Sequence, residues 1–207
     1  MSGISRRSGR RLLAALLAVV AILLSACSAS EPAADEKMHG AELDQKYVAS
    51  PIELTDTTGQ DVALGDVEKD LTLVFFGYTR CPDICGIVMS SITSAITRLD
   101  DDLRERVGMV FVTTDPARDD TKTLRGYLDR YDPSFTGLTG DLDDVVEVGR
   151  SMKVMVDEGE KLPSGGYEVV HSDHVVGLDA GGEGTIVWTK DVSASEMSED
   201  IEALLTR

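Results

Sequence analysis

Cysteine is scarce in this 207-residue chain: Cys27, Cys81 and Cys85 are all it has, too few for a disulfide-built scaffold. Histidine is equally sparse, at His39, His171 and His174. Basic residues are outnumbered 20 to 37 by acidic ones, giving a net charge of −17. That balance excludes binding to nucleic acid or anionic lipid by charge attraction, while leaving cationic partners such as metal ions open. No charge-free apolar run is long enough to cross a bilayer comfortably, since the one at Leu12–Leu24 falls short of the roughly 20 residues a spanning helix needs. No Ser-His-Asp set, phosphate-cradling glycine loop or pair of catalytic carboxylates stands out, so the chain does not read as an enzyme.

What the N-terminus does have is a leader. Arg6, Arg7, Arg10 and Arg11 precede the Leu12–Leu24 run, the form of a secretory signal. Leu24-Ser25-Ala26-Cys27 follows with the pattern of a bacterial lipobox, which predicts cleavage before Cys27 and lipidation of its sulfur. Residues 1–26 are therefore expected to be a lipoprotein signal peptide. Without its four arginines the chain keeps 16 basic and 37 acidic residues, a net charge of −21. Residues 27–49, polar and rich in Ser, Ala, Glu and Asp, read as a flexible tether, and 50–207 as one domain.

Within that domain, Ile52–Leu54 and Val62–Leu64 flank Thr57-Thr58-Gly59-Gln60 and predict an N-terminal hairpin. Leu71–Phe76 is an almost unbroken apolar run, the signature of a strand buried on both faces. After a short loop, Ile84, Val88, Ile92, Ile96 and Leu99 recur at helical spacing. A strand at Met109–Val112 and helices over Leu124–Tyr131 and Asp141–Ser151 continue the alternation. Strands near Val154, Val169 and Val175–Leu178 follow, then a glycine turn into Thr185–Trp188. Ser193-Ala194-Ser195-Glu196 has capping-box spacing and opens a C-terminal helix. The class is α/β, with a mixed central sheet flanked by helices. A cysteine pair at the strand-to-helix turn makes it thioredoxin-like.

Cys81-Pro82-Asp83-Ile84-Cys85 spaces two thiols about one helical turn apart, with Pro82 expected at the first helical position and Cys81 at the cap. A helix N-terminus favours thiolate over thiol. Three readings stay open for the pair: a structural disulfide, a redox-active dithiol or a metal chelate. Two thiolates select copper(I), zinc or an iron–sulfur cluster, and one added imidazole gives a Cys2His set that suits copper in either oxidation state. His39 falls in the expected tether and reads as a solvated residue. His171 and His174 lie three apart, so along one strand at most one can aim at the cysteines.

Phe75-Phe76-Gly77-Tyr78-Thr79-Arg80-Cys81-Pro82-Asp83-Ile84-Cys85 closely resembles the signature of the Sco/SenC family. Asp115-Pro116-Ala117-Arg118-Asp119 and Gly137-Leu138-Thr139-Gly140 are similar to that family's D-P-x-R-D and G-L-T-G segments, in the same order, and the likeness runs from Ile52 to the C-terminus. The resemblance implies copper bound by Cys81, Cys85 and a histidine. That histidine is His171, because His171-Ser172 with Asp179 eight residues on fits the family spacing and His174 does not. Gly86 stands where the family usually has proline, and Val170 where it often has aspartate. Asp115 and Asp119 follow a strand end, which leaves two readings: a place near the site or, the one slightly favoured, a helix cap and a solvated loop.

The resemblance further implies a monomeric copper chaperone, lipid-anchored on the extracytoplasmic side of the cell membrane. It would serve the dinuclear copper site of a cytochrome c oxidase subunit. The competing expectation is a thiol-disulfide oxidoreductase acting through a Cys81–Cys85 disulfide on that subunit's cysteines. The segment Glu168–Asp179 holds no proline, whereas thioredoxin-type oxidoreductases carry a cis-proline on the loop facing their cysteines.

Overall fold

The computed structural model describes residues 37–67, 69–161 and 167–207, with backbone alone at 157–161 and 167–171. The leader, Cys27 and residues 28–36 of the expected tether lie outside the described residues.

The Leu71–Phe76 run organises the molecule. Every residue of its strand, β4 (Leu71–Gly77), is buried, and the two-residue period of a strand sends alternate side chains to opposite faces. Leu71, Leu73 and Phe75 join one apolar cluster; Val74 and Phe76 join another. Fully burying such a side chain contributes about 1.5–3 kcal/mol, so this strand seats two cores at once.

In chain order the other strands are β1 (Ala41–Val48), β2 (Glu53–Asp56), β3 (Asp61–Ala63), β5 (Val107–Thr113), β6 (Thr136–Thr139), β7 (Val156–Lys161), β8 (Tyr167–His171), β9 (Val175–Asp179) and β10 (Glu183–Trp188). Seven of them join β4 in one mixed eight-stranded sheet, ordered β1-β10-β9-β4-β5-β6-β2-β3; β7 and β8 pair separately. β4 and β5 run parallel, Leu71 opposite Val107 through Gly77 opposite Thr113, while β9 runs antiparallel on the other side. The expected N-terminal hairpin is β2–β3, and it extends the main sheet through β6.

The helices are α1 (Ile84–Arg98), α2 (Asp101–Arg104), α3 (Thr121–Leu128), α4 (Leu142–Ser151) and α5 (Ala194–Thr206). Cys85, Val88, Met89, Ile92, Ala95 and Ile96 form the buried stripe of α1, at the three- and four-residue spacing a helix face requires. Side chains of α1, α3 and α5 fill the cluster on the Phe75 face, and those of α4 the cluster on the Phe76 face. At the start of α5 the capping box forms in full, with Glu196 N–H donating to Ser193 Oγ at 3.3 Å and Ser193 N–H to Glu196 Oε2 at 2.8 Å. Among the described residues no helix is long and apolar enough to cross a membrane.

The tether expectation needs correcting from Met38 onward. Met38 is buried, and β1 adds antiparallel to β10. Asp200 explains the docking: this carboxylate, 2% exposed, accepts from His39 N–H at 3.0 Å, Gly40 N–H at 2.8 Å and Trp188 Nε1 at 2.8 Å. A buried charge is tolerated only with such compensation. A Cβ at Gly40 would come within 2.7 Å of the Trp188 ring, so only glycine lets the chain pass. His39 is exposed, as expected, but it lies on the domain and not on a tether, its ring 3.2 Å from Glu199 and 3.7 Å from Glu196.

Candidate metal centre

Cys81 and Cys85 sit at the turn from β4 into α1, neither of them in a disulfide. The helix starts later than Pro82 suggests: Ile84 is its first residue and Asp83 its N-cap, without a side-chain capping bond. Sulfur stands in, because Cys85 N–H donates to Cys81 Sγ at 3.4 Å. One free N–H of the helix start therefore points at a thiol. Cys81 is partly exposed and Cys85 is 1% exposed, wedged where a Cβ on Gly77 would come within 3.2 Å of its sulfur.

That burial reverses the charge expected at Cys85. Desolvation pushes its thiol far up, the hydrogen bond with Cys81 adds to the rise, and the Tyr78 backbone N–H offsets only part of it. The helix N-terminus loses to burial here. Tyr78 is also buried, and its hydroxyl, hydrogen-bonded to Cys81, is pushed up to about 12, first by desolvation and then by the neighbouring thiols. Below them lies an aromatic floor, Phe111 to Tyr127 to Tyr131, with successive ring centroids 5.3 Å apart.

The two aspartates of the 115–119 segment are neither a helix cap nor part of a solvated loop. Both are completely buried. Asp115 pairs with Arg118. Asp119 accepts from Thr79 Oγ1 at 2.6 Å, Thr79 N–H at 2.8 Å and Thr113 Oγ1 at 2.8 Å. Its own carbonyl accepts from Thr139 Oγ1 at 3.0 Å. Sequence reading missed these roles because nothing local marks a carboxylate as buried.

His171 ends β8, its Cα paired with that of Val156 on β7; its side chain lies outside the described residues. His174 occupies the link into β9, half-buried. Desolvation holds its ring below the ordinary imidazole range, only partly offset by a hydrogen bond to the Met152 backbone and by Asp173. Met152 belongs to the Phe76-face cluster, whereas Cys85 belongs to the Phe75-face one. Among the described residues no three His, Cys, Asp or Glu side chains gather as a metal site. At Gly86, a Cβ would meet only the Tyr131 hydroxyl, at 3.8 Å, so a side chain there has room.

The SCO1/SenC family pattern matches residues 40–206 of this sequence. The chain belongs to the SCO1/SenC family. Its relatives include a mitochondrial SCO2 homolog of Danio rerio, 38% identical over 58% of this chain and 43% of that protein. An SCO2-like protein of Rickettsia prowazekii is 28% identical over 86% of each. The chain spans under half the length of the first of these. Among solved structures, Bradyrhizobium japonicum ScoI with copper bound is 28% identical and superposes with a TM-score of 0.68, over 76% of this chain and 99% of that one. The architecture is thioredoxin-like, as the strand–Cys–helix turn predicts.

Proposed function

We propose that this chain is an exported copper-binding protein that holds one copper ion between Cys81, Cys85 and His171. It passes that ion to the dinuclear copper site of a cytochrome c oxidase subunit. Lipid on Cys27 would anchor it, as a monomer, to the extracytoplasmic face of the cell membrane. The observation that carries the reading is the thiol pair, Cys81 Sγ 3.4 Å from the Cys85 N–H and neither cysteine in a disulfide, in a fold similar to that of a relative solved with copper bound.

The donor set fits the cargo. Two soft sulfurs one turn apart favour copper(I), and an imidazole extends the set to copper(II). The buried Cys85 thiol must give up its proton when the metal enters, so uptake releases protons and weakens as pH falls. His171 is taken as the third ligand because its spacing to Ser172 and Asp179 matches the family pattern.

A second reading, reduction of the oxidase subunit's cysteines, is favoured by the same pair of reduced cysteines. Anaerobic mixing of the copper-loaded domain with the soluble copper-site domain of an oxidase subunit separates the two. Copper moving to the acceptor supports delivery. If no copper reaches the acceptor, while the metal-free domain reduces an oxidised acceptor's disulfide as its own Cys81 and Cys85 oxidise to one, the oxidoreductase reading wins.

A further inference from the structure

The three segments that carry the family likeness meet at one buried residue. Asp119 receives two donors from Thr79, the residue two before Cys81; one from Thr113, at the end of β5; and, through its carbonyl, one from Thr139 on β6. A second clasp lies beside it: Thr114 N–H and Oγ1 both donate to the Gly77 carbonyl, at 2.7 and 3.2 Å. The stretch Gly77–Cys81 is thus tied at two points to the neighbouring strand end. Arg118, paired with Asp115, lies close enough to lower the Tyr78 hydroxyl's proton affinity, and that hydroxyl meets Cys81.

We infer that Asp119 is a positioning residue for the thiol pair: it fixes the Thr79–Cys81 loop so that Cys81 Sγ faces the Cys85 N–H before any ligand arrives. The inference rests on the copper reading for its consequence in affinity, but not for its geometry. A buried carboxylate with three donors is costly to empty, because Thr79 N–H and both hydroxyls would lose their acceptor in a place water does not reach. Groups that orient ligands in this way typically hold 10–100-fold of metal affinity.

Charge is not what the role needs. An amide at 119 can accept from Thr79 N–H and Thr113 Oγ1 through its oxygen and donate to Thr79 Oγ1 through its nitrogen. Asp119→Asn therefore keeps the loop, whereas Asp119→Ala frees it.

The test uses the reduced domain in wild-type, Asp119→Ala and Asp119→Asn forms. Two readouts are taken on protein shown to be folded: copper(I) affinity by competition, and the rate at which iodoacetamide alkylates Cys81 without metal. Asp119→Ala is expected to bind copper about 10–100-fold more weakly and to alkylate several-fold faster, with Asp119→Asn close to wild type in both. A folded Asp119→Ala that matches wild type in both readouts overturns the inference. So does Asp119→Asn behaving like the alanine variant, which would make the charge the working feature. If Asp119→Ala does not fold, Thr79→Val carries the test: smaller losses in the same direction support the clasp, and wild-type values contradict it. A wild type that took up no copper would fell the metal reading, leaving the alkylation contrast to decide the role of Asp119.

Discussion

The two ends of the proposed site are built differently. Cys81 and Cys85 rise from β4 and α1, the most deeply buried strand and helix of the central sheet, on a loop clasped by Asp119 and Thr114. His171 ends a two-stranded sheet whose ladder is separate from the eight-stranded one. Val156 links it to the main body, its side chain packed against α4 at Gly149 within the Phe76-face cluster, while the Met155 N–H donating to Ser172 Oγ at 3.3 Å joins the two ends of the hairpin to each other. The contrast teaches that the sulfur pair is fixed by the fold itself, while the third donor comes on a separate piece. Damage at the first end should cost stability and copper together. Damage at the second should act more on copper than on folding.

The largest expected effect follows from adding bulk at the sulfur end. A Cβ on Gly77 would lie 3.0–3.2 Å from Phe75, Phe111 and Cys85 Sγ, and the further methyls of Gly77→Val have nowhere to go. About 3 kcal/mol of stability should be lost, seen as a melting point lower by about 6–12 °C, and copper affinity should fall with it. Unchanged melting would mean that the cysteines do not sit on a packed base. Smaller is Val156→Ala at the hairpin end, expected to cost about 1.5 kcal/mol while leaving iodoacetamide alkylation of Cys81 at the wild-type rate. Faster alkylation in that variant would erase the distinction between the two ends.

Two pH predictions are smaller still. His174 is held below its ordinary value in the folded state, so its neutral form fits the fold. As pH falls through about 6.5, where the unfolded chain takes up its proton, the fold loses stability until the depressed folded value is reached. His174→Gln should flatten that limb in melting curves taken from pH 8 to 5. An unchanged limb would place the titration elsewhere. At Asp179, burial is outweighed by Lys46 and the Glu183 and Gly181 N–H groups, which hold the carboxyl below its usual range. Its contribution is present above about pH 4 and fades as pH falls further. Asp179→Asn should lower melting at pH 7 by no more than ~2 °C and leave it unchanged near pH 2; a larger drop at pH 2 than at pH 7 would reverse the sign.

The same contrast explains what the sequence could disclose. β4 and α1 announce themselves because burial on both faces, or along one stripe, writes a strong apolar period into the chain. The cysteines were therefore legible in place, though the helix start and the protonation of Cys85 were not, since both depend on how deeply the turn packs. β1 escaped notice because Ala41–Val48 is an edge strand with no buried residue, joined to β10 by backbone bonds that leave no apolar signature. β6 is four residues long, too short for a pattern. Asp115 and Asp119 looked like solvated acids, because only the tertiary fold places hydroxyls and backbone N–H groups around them. The choice of His171 over His174 still rests on spacing.

The central claim is most directly tested by titrating copper into the domain beginning at Ser28, in wild-type form and as Cys81→Ala, Cys85→Ala, His171→Ala and His174→Ala. One equivalent of copper is expected for wild type, and disrupted binding for the two cysteine variants and His171→Ala. His174→Ala should bind nearly as wild type does. Equal binding by wild type and Cys85→Ala would contradict the copper site, and loss confined to His174→Ala would contradict the choice of the third ligand.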